Sequence, residues 1–182
     1  MVNKKIIIVG KSGSGKDYLM DNLSNKGFKR CLKWTTRPIR PKEKQGITYH
    51  YTDNNNFEEN INNNNMMVFQ KFNISTIQGN PLWYYGITKE EFNKSDFMML
   101  TPYELSLIQD DKQLNNCVIV YLDIPRSIRE ERVLKRIDYS DNLKRRFDND
   151  DKDFHGFNTY DIKITNPIFS VNEIINEIKK AM

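Results

Sequence analysis

The sequence predicts a three-layer α/β/α domain on a five-stranded parallel sheet, and three observations predict it. The apolar run KIIIV at residues 5–9 ends in glycine, as a strand buried on both faces does. Apolar runs then alternate with helical patterns to the end of the chain, the order that covers a parallel sheet on both sides. Between the first strand and the first helix lies GKSGSGKD, residues 10–17, a glycine-rich turn suited to presenting backbone N–H groups to an anion.

The elements follow in order. From Lys16 to about Asn25, Leu19, Met20 and Leu23 share one helical face, and FKRCLKW (28–34) reads as a second strand. Residues 36–95 give mixed signals. They hold the alternating ITYHY (47–51), an Asn-rich helix from Asn55 to Asn62, a strand at 66–72 (MMVFQKF) and a capping box from Thr88 to Glu91. That length exceeds a single crossover, so an inserted subdomain of about 36–95 is expected within a core of 1–35 and 96–182. Simple alternation then resumes. FMML (97–100) is a strand, Pro102–Ile108 a helix, CVIVYL (117–122) a strand and Ser127–Arg136 a helix. A polar stretch of about 137–144 is expected to form a lid, followed by a basic helix from Leu143 to about Asp151. The strand DIKIT (161–165) precedes a last helix capped by Ser170 and Glu173, with Val171, Ile174, Ile175 and Ile178 facing inward.

The 182 residues suffice for one domain with a real core. The net charge of +4, from 28 basic and 24 acidic residues, is too mild for the basic stripe of a nucleic-acid binder, so no nucleic-acid partner is expected. Cys31 and Cys117 sit in apolar runs and read as buried thiols, and His50 and His155 complete no zinc spacing with them. No apolar stretch reaches the ~20 residues of a membrane span, and the N-terminus has no signal-peptide pattern. A cytoplasmic monomer or homodimer, with no membrane partner, is the expectation.

GKSGSGKD matches the GxxxxGK of a P-loop, which places the fold in the P-loop NTPase type. Gly10, Gly13 and Gly15 let the backbone turn tightly. Together with Lys11, Ser12 and Ser14 they form the expected cradle for ATP phosphates. Lys16 reaches the β and γ phosphates. Asp17 stands where a hydroxyl residue is usual; it either serves a Mg²⁺ ion, directly or through water, or caps the helix. Further on, TTRPIRPKEKQGITYHY (35–51) places Arg37 and Arg40 beside prolines, a setting suited to gripping a phosphate, although a charged loop ahead of a hairpin reads the same way.

At these residues the sequence resembles the guanylate kinase family, whose segment TTRxPRxGExxGxxYxF is matched at Thr35, Thr36, Arg37, Arg40, Glu43, Gly46 and Tyr49. GNPLWYYG (79–86) looks like the family's GNYYG with a short insertion. Arg132 and Arg136 in RVLKR, with Arg145 or Arg146 in KRRF, resemble its lid arginines. The resemblance implies transfer of the ATP γ-phosphate, with Mg²⁺, to a nucleoside monophosphate, GMP or dGMP first. It implies that Arg37, Arg40, Glu43, Tyr49 and Tyr85 hold the acceptor, and that Arg132, Arg136 and Arg145 or Arg146 close over the phosphoryl group.

Several positions depart from the family pattern. Lys33 replaces a base-reading serine, and Gln70 is the counterpart of a base-reading glutamate. Ile87 follows the YG where a hydroxyl residue is usual, which makes Thr88 the candidate there. MLTPYE, with Thr101 and Glu104, replaces an acidic LDxD, while Asp123 lies after the next strand. These departures keep two alternatives in view. One is a kinase for another phosphorylated acceptor, such as a different dNMP or ribose 1,5-bisphosphate; the other is a non-catalytic binding domain.

Overall fold

The computed structural model describes residues 4–41, 43–73, 81–135 and 143–180, and of 143–146 the backbone alone. In chain order the elements begin with β1 (Lys5–Gly10), α1 (Lys16–Asn25), β2 (Trp34–Thr35), β3 (His50–Tyr51) and α2 (Asn54–Asn62). Next come β4 (Met66–Asn73), β5 (Leu82–Thr88), α3 (Lys89–Lys94), β6 (Phe97–Met99) and α4 (Pro102–Leu107). After a 3₁₀ turn at Lys112–Asn116 follow β7 (Cys117–Leu122), α5 (Arg126–Leu134), α6 (Leu143–Asp153), β8 (Ile162–Ile164) and α7 (Val171–Lys180). The chain divides into two compact units, Met1–Arg30 with Asp96–Met182, and Cys31–Ser95.

The first unit is a parallel sheet in the order β6-β1-β7-β8. β1 is central, with Ile7 in register with Met98 on one side and Ile119 on the other. That position explains its composition: a strand covered on both faces buries every side chain, and Ile6 to Val9 are all buried. Ile6 and Ile8 pack with Leu19, Met20 and Leu23 of α1 and with Ile174 and Ile178 of α7. Four strands form this sheet among the described residues, where five were expected. Residues 28–34 contribute one isolated bridge, Arg30 to Phe97, because the chain leaves the sheet there and its next strand, β2, joins the other unit.

The second unit is a mixed sheet in the order β3-β2-β5-β4. Its long ladder pairs β4 with β5 antiparallel, from Met66 opposite Thr88 to Asn73 opposite Leu82. Gly86 is required in β5, because a Cβ there would lie 2.5 Å from Met66 Cε and 2.7 Å from the Val68 carbonyl. Phe57 of α2 stacks on Tyr84 at 5.0 Å and, with Met66, forms the core of this unit. ITYHY yields strand only at His50–Tyr51, since a turn closed by Gly46 N–H to the Tyr49 carbonyl takes the residues before it. Cys31 and Cys117 are buried thiols, the latter pushed up to about 11 by burial. Among the described residues no helix is long and apolar enough to cross a membrane.

Candidate functional site

The glycine-rich loop joins the end of β1 to the start of α1. Gly13 (φ 77°) and Gly15 (φ 100°) adopt left-handed backbone that glycine tolerates and other residues resist. At Gly13 space is lacking too, since a Cβ would lie 2.5 Å from the Arg129 carbonyl oxygen. Lys16 Nζ donates to the carbonyls of Gly10 (2.6 Å) and Lys11 (2.9 Å), so its ammonium folds back over the loop. Asp17 is exposed in the first turn of α1, whose N-cap is Gly15 and makes no side-chain cap. A carboxylate there is favoured by the positive end of the helix.

Two arginines of α5 brace the loop. Arg132, expected at the site from the sequence, donates through Nη1 to the carbonyls of Gly13 and Ser14 (both 3.3 Å) and through Nη2 to that of Pro167 (2.5 Å). Arg129 was not singled out from the sequence, although a position three residues before Arg132 shares its helical face. Only 2% exposed, it donates to the carbonyls of Ile124 (2.9 Å) and Ser12 (3.3 Å). Arg136 and the side chains of Arg145 and Arg146 lie outside the described residues. Beside the loop opens a cleft of about 480 Å³ lined by Gly15, Tyr18, Arg132, Pro167 and Phe169. Tyr18 and Phe169 meet edge to face there at 5.8 Å.

In the second unit, Arg37 and Glu43 form a fork-to-fork pair, with Nη1 to Oε2 at 2.7 Å and Nη2 to Oε1 at 2.6 Å. Tyr51 Oη (2.7 Å) and the Arg40 N–H (2.8 Å) also donate to Glu43. The Arg37 guanidinium lies 5.3 Å from the Tyr49 ring centre and 5.7 Å from that of Tyr51, within cation–π range. Glu43 is therefore the partner that orients Arg37, where the sequence resemblance placed both among the residues that hold the acceptor. Tyr51 joins them because residues 49 and 51 share one face of an alternating segment. The side chain of Arg40 is exposed, Tyr85 meets Tyr49 edge to face at 6.2 Å, and Gln70 stands opposite Tyr85 across the ladder.

Other candidates have structural partners. Thr88 is buried, and its hydroxyl oxygen accepts the Glu91 N–H as the N-cap of α3, so it does not stand as an exposed hydroxyl beside Ile87. The Glu91 carboxylate accepts instead from the Leu32 N–H and faces His50 Nε2 at 3.0 Å. Thr101 and Glu104 form a reciprocal capping box at the start of α4. Asp123 pairs with Lys163 at 2.8 Å and accepts from Tyr121. Among the described residues no group of three or more His, Cys, Asp or Glu is placed to hold a metal ion.

The Arg37 hydrogen bonds hold the Glu43 carboxyl down at about 2, against an ordinary 4.5, even though burial opposes this. A carboxyl depressed in the folded state contributes stability that is complete above about 4.5 and disappears as pH falls from there through about 2. Glu43→Gln is expected to cost roughly 3 kcal/mol at pH 7, because it leaves the Arg37 charge buried without its counter-charge. The difference from the native chain should shrink across that acidic window in urea unfolding at stepped pH. A difference that does not vary with pH would dissociate Glu43 from the acid response.

Three comparisons bear on this arrangement. The guanylate kinase family model matches residues 2–182. Among curated relatives, a guanylate kinase of Mycoplasma genitalium is 27% identical over 188 aligned residues, 97% of this chain and 73% of that protein. One of Lactococcus lactis is 26% identical over 165 residues, 88% of this chain and 78% of its own. The crystal structure of guanylate kinase from Anaplasma phagocytophilum superposes with a TM-score of 0.67 at 17% identity, covering 98% of this chain and 87% of that one. At that identity the superposition speaks to the fold.

Proposed function

Because this chain belongs to the guanylate kinase family, we propose that it moves the γ-phosphate of ATP onto GMP or dGMP, giving ADP and the nucleoside diphosphate. The observation that carries this reading is the glycine-built loop with the Lys16 ammonium folded over its carbonyls at 2.6 and 2.9 Å. Such a loop offers backbone N–H groups and one mobile charge to a polyphosphate, and phosphoryl transfer needs little beyond positioning and charge.

The roles follow from placement. Residues Gly10 to Lys16 cradle the phosphates of ATP, and Lys16 offsets charge on the group in transfer. The adjoining cleft, walled by Tyr18 and Phe169, receives the base and ribose. Arg132 ties the loop to this cleft through its three carbonyl contacts. Mg²⁺ would be held by phosphate oxygens and water with Asp17 as the carboxylate at hand, which suits an ion that keeps much of its hydration. When bound, it offsets charge on the phosphates.

In the acceptor unit, Glu43 holds Arg37 in one orientation. Arg37, Arg40, Tyr49 and Tyr85 then offer cationic and phenolic donors to the acceptor's phosphate. Arg136 and Arg145 or Arg146 keep the role of closing over the phosphoryl group. Gln70 and Lys33 read the base. An amide both donates and accepts, so it discriminates guanine less sharply than a carboxylate would. Gln70→Glu is expected to raise the GMP-over-AMP ratio of kcat/KM about tenfold; an unchanged ratio would remove Gln70 from the base pocket.

The substitutions at 33 and 70 also favour a second reading, the same chemistry on a different phosphorylated acceptor. One experiment separates the two. ADP release is followed with ATP and Mg²⁺ over GMP, dGMP, AMP, dAMP, UMP, dTMP, dCMP and ribose 1,5-bisphosphate. Turnover on GMP and dGMP is expected, turnover confined to another acceptor supports the second reading, and folded protein inactive on all of them refutes the kinase.

A further inference from the structure

Helix α6 carries two adjacent carboxylates that both reach the phosphate loop, in different ways. Asp151 makes outer ion pairs, with Lys11 Nζ at 3.0 Å and Arg126 Nη1 at 2.7 Å, and its side chain is 41% exposed. Asp150, 16% exposed, touches the loop backbone: its Oδ2 accepts the Ser12 N–H at 2.8 Å. On the other side of the same residue, buried Arg129 donates to the Ser12 carbonyl at 3.3 Å and stands 3.8 Å from the same Asp150 oxygen. Ser12 is thus held by both of its backbone groups, one from α6 and one from α5. The next residue is Gly13, in left-handed backbone and packed without room for a Cβ against the Arg129 carbonyl.

We propose that Asp150 is a positioning residue for ATP: by holding the Ser12 N–H opposite Arg129, it fixes the turn through which Gly13 to Lys16 receive the phosphates. The proposal rests on reading this loop as the ATP site. Asp150 acts through Ser12 and is not itself a phosphate ligand. Its charge is faced by buried Arg129 at 3.8 Å, while the neighbouring Asp151 is paired with Lys11 and Arg126. A loop fixed beforehand loses less conformational freedom when a ligand binds, so removing the clasp weakens binding without removing any contact to the phosphates.

The test uses the full chain with Asp150→Ala and Asp150→Asn. ADP affinity is measured by calorimetry, and the KM values for ATP and for GMP by ADP release. Asp150→Ala should weaken ADP binding and raise the KM for ATP about tenfold, the scale of one charge-assisted hydrogen bond, with the KM for GMP within about twofold. Asp150→Asn keeps an oxygen that can accept from Ser12 N–H and should lose only about threefold. Unchanged ADP affinity in folded Asp150→Ala would overturn the proposal, as would parallel rises in both KM values. Tighter ADP binding would overturn it as well, by showing that the carboxylate competes with phosphate. Should the alanine variant fail to fold, Asp150→Asn decides: native affinity there counts against the proposal. ADP calorimetry needs no acceptor, so a native chain that binds ADP yet phosphorylates nothing sinks the kinase reading and leaves this one open to the same test.

Discussion

Lys16→Met is expected to lower kcat/KM for ATP by about a thousandfold or more while leaving the thermal unfolding midpoint within a few degrees of the native value. The native ammonium donates to the Gly10 and Lys11 carbonyls, half-buried groups that water is expected to reach when it leaves. Methionine keeps much of the length and apolar stem and removes only the charge. The loop turn itself depends on Gly13, Gly15 and the bracing from Arg129 and Arg132, none of which the substitution touches. What disappears is the loop's own flexible cation, able to move with the phosphoryl group, and transfer is limited by stabilisation of that charge. ADP release with saturating acceptor, together with a melt followed by circular dichroism, measures both effects. Activity close to native in a folded variant would take this loop out of the mechanism.

Arg37→Ala is the second substitution with a large expected effect, and it acts on two levels. Arg37 is 4% exposed and meets Glu43 through both terminal guanidinium nitrogens, so its removal leaves a carboxylate in a sheltered site with Tyr51 and the Arg40 N–H as its donors among the described residues. Breaking such a pair from one side costs roughly 3–5 kcal/mol of stability. The acceptor side should suffer separately, with kcat/KM for GMP falling about a hundredfold or more and the KM for ATP within about twofold. Arg37→Lys separates the levels: it keeps the charge near Glu43 but cannot make the fork. If Arg37→Lys regains stability but not acceptor turnover, the guanidinium geometry serves the acceptor. If both Arg37 variants turn over GMP with native KM, the Arg37–Glu43 pair is a brace for the 37–51 segment and nothing more.

What could be read in advance was local. KIIIV and CVIVYL are apolar at every position, and that composition is explicable only by burial on both faces, which β1 and β7 show. The helix from Lys16 to Asn25 was readable to its ends because Gly15 precedes it and its apolar residues keep one face. β5 was missed. LWYYGIT contains a glycine and follows Asn and Pro, so its local preferences point to a loop; it becomes a strand because β4 and β2 pair with it from both sides. FKRCLKW shows the reverse case. It has a strand's composition, yet tertiary structure leaves it one bridge at Arg30 and directs its end into the other sheet.

The candidate site divides along the same line. The sequence alone determined the phosphate loop, since its glycines, its lysine and its place between strand and helix are properties of one continuous stretch. It also marked Arg37 and Glu43 as candidates, through a segment that resembles the guanylate kinase pattern. Tertiary structure decided what these groups do to one another. Glu43 turns out to orient Arg37, Thr88 and Thr101 cap helices, and Arg129 is a buried brace. The Asp150 clasp on Ser12 joins residues 138 positions apart, and no pattern in either neighbourhood signals the other. The physical reason is range. Backbone conformation and burial follow from neighbouring residues, whereas the partner of a charged or polar group depends on which distant element packing brings within about 3 Å of it.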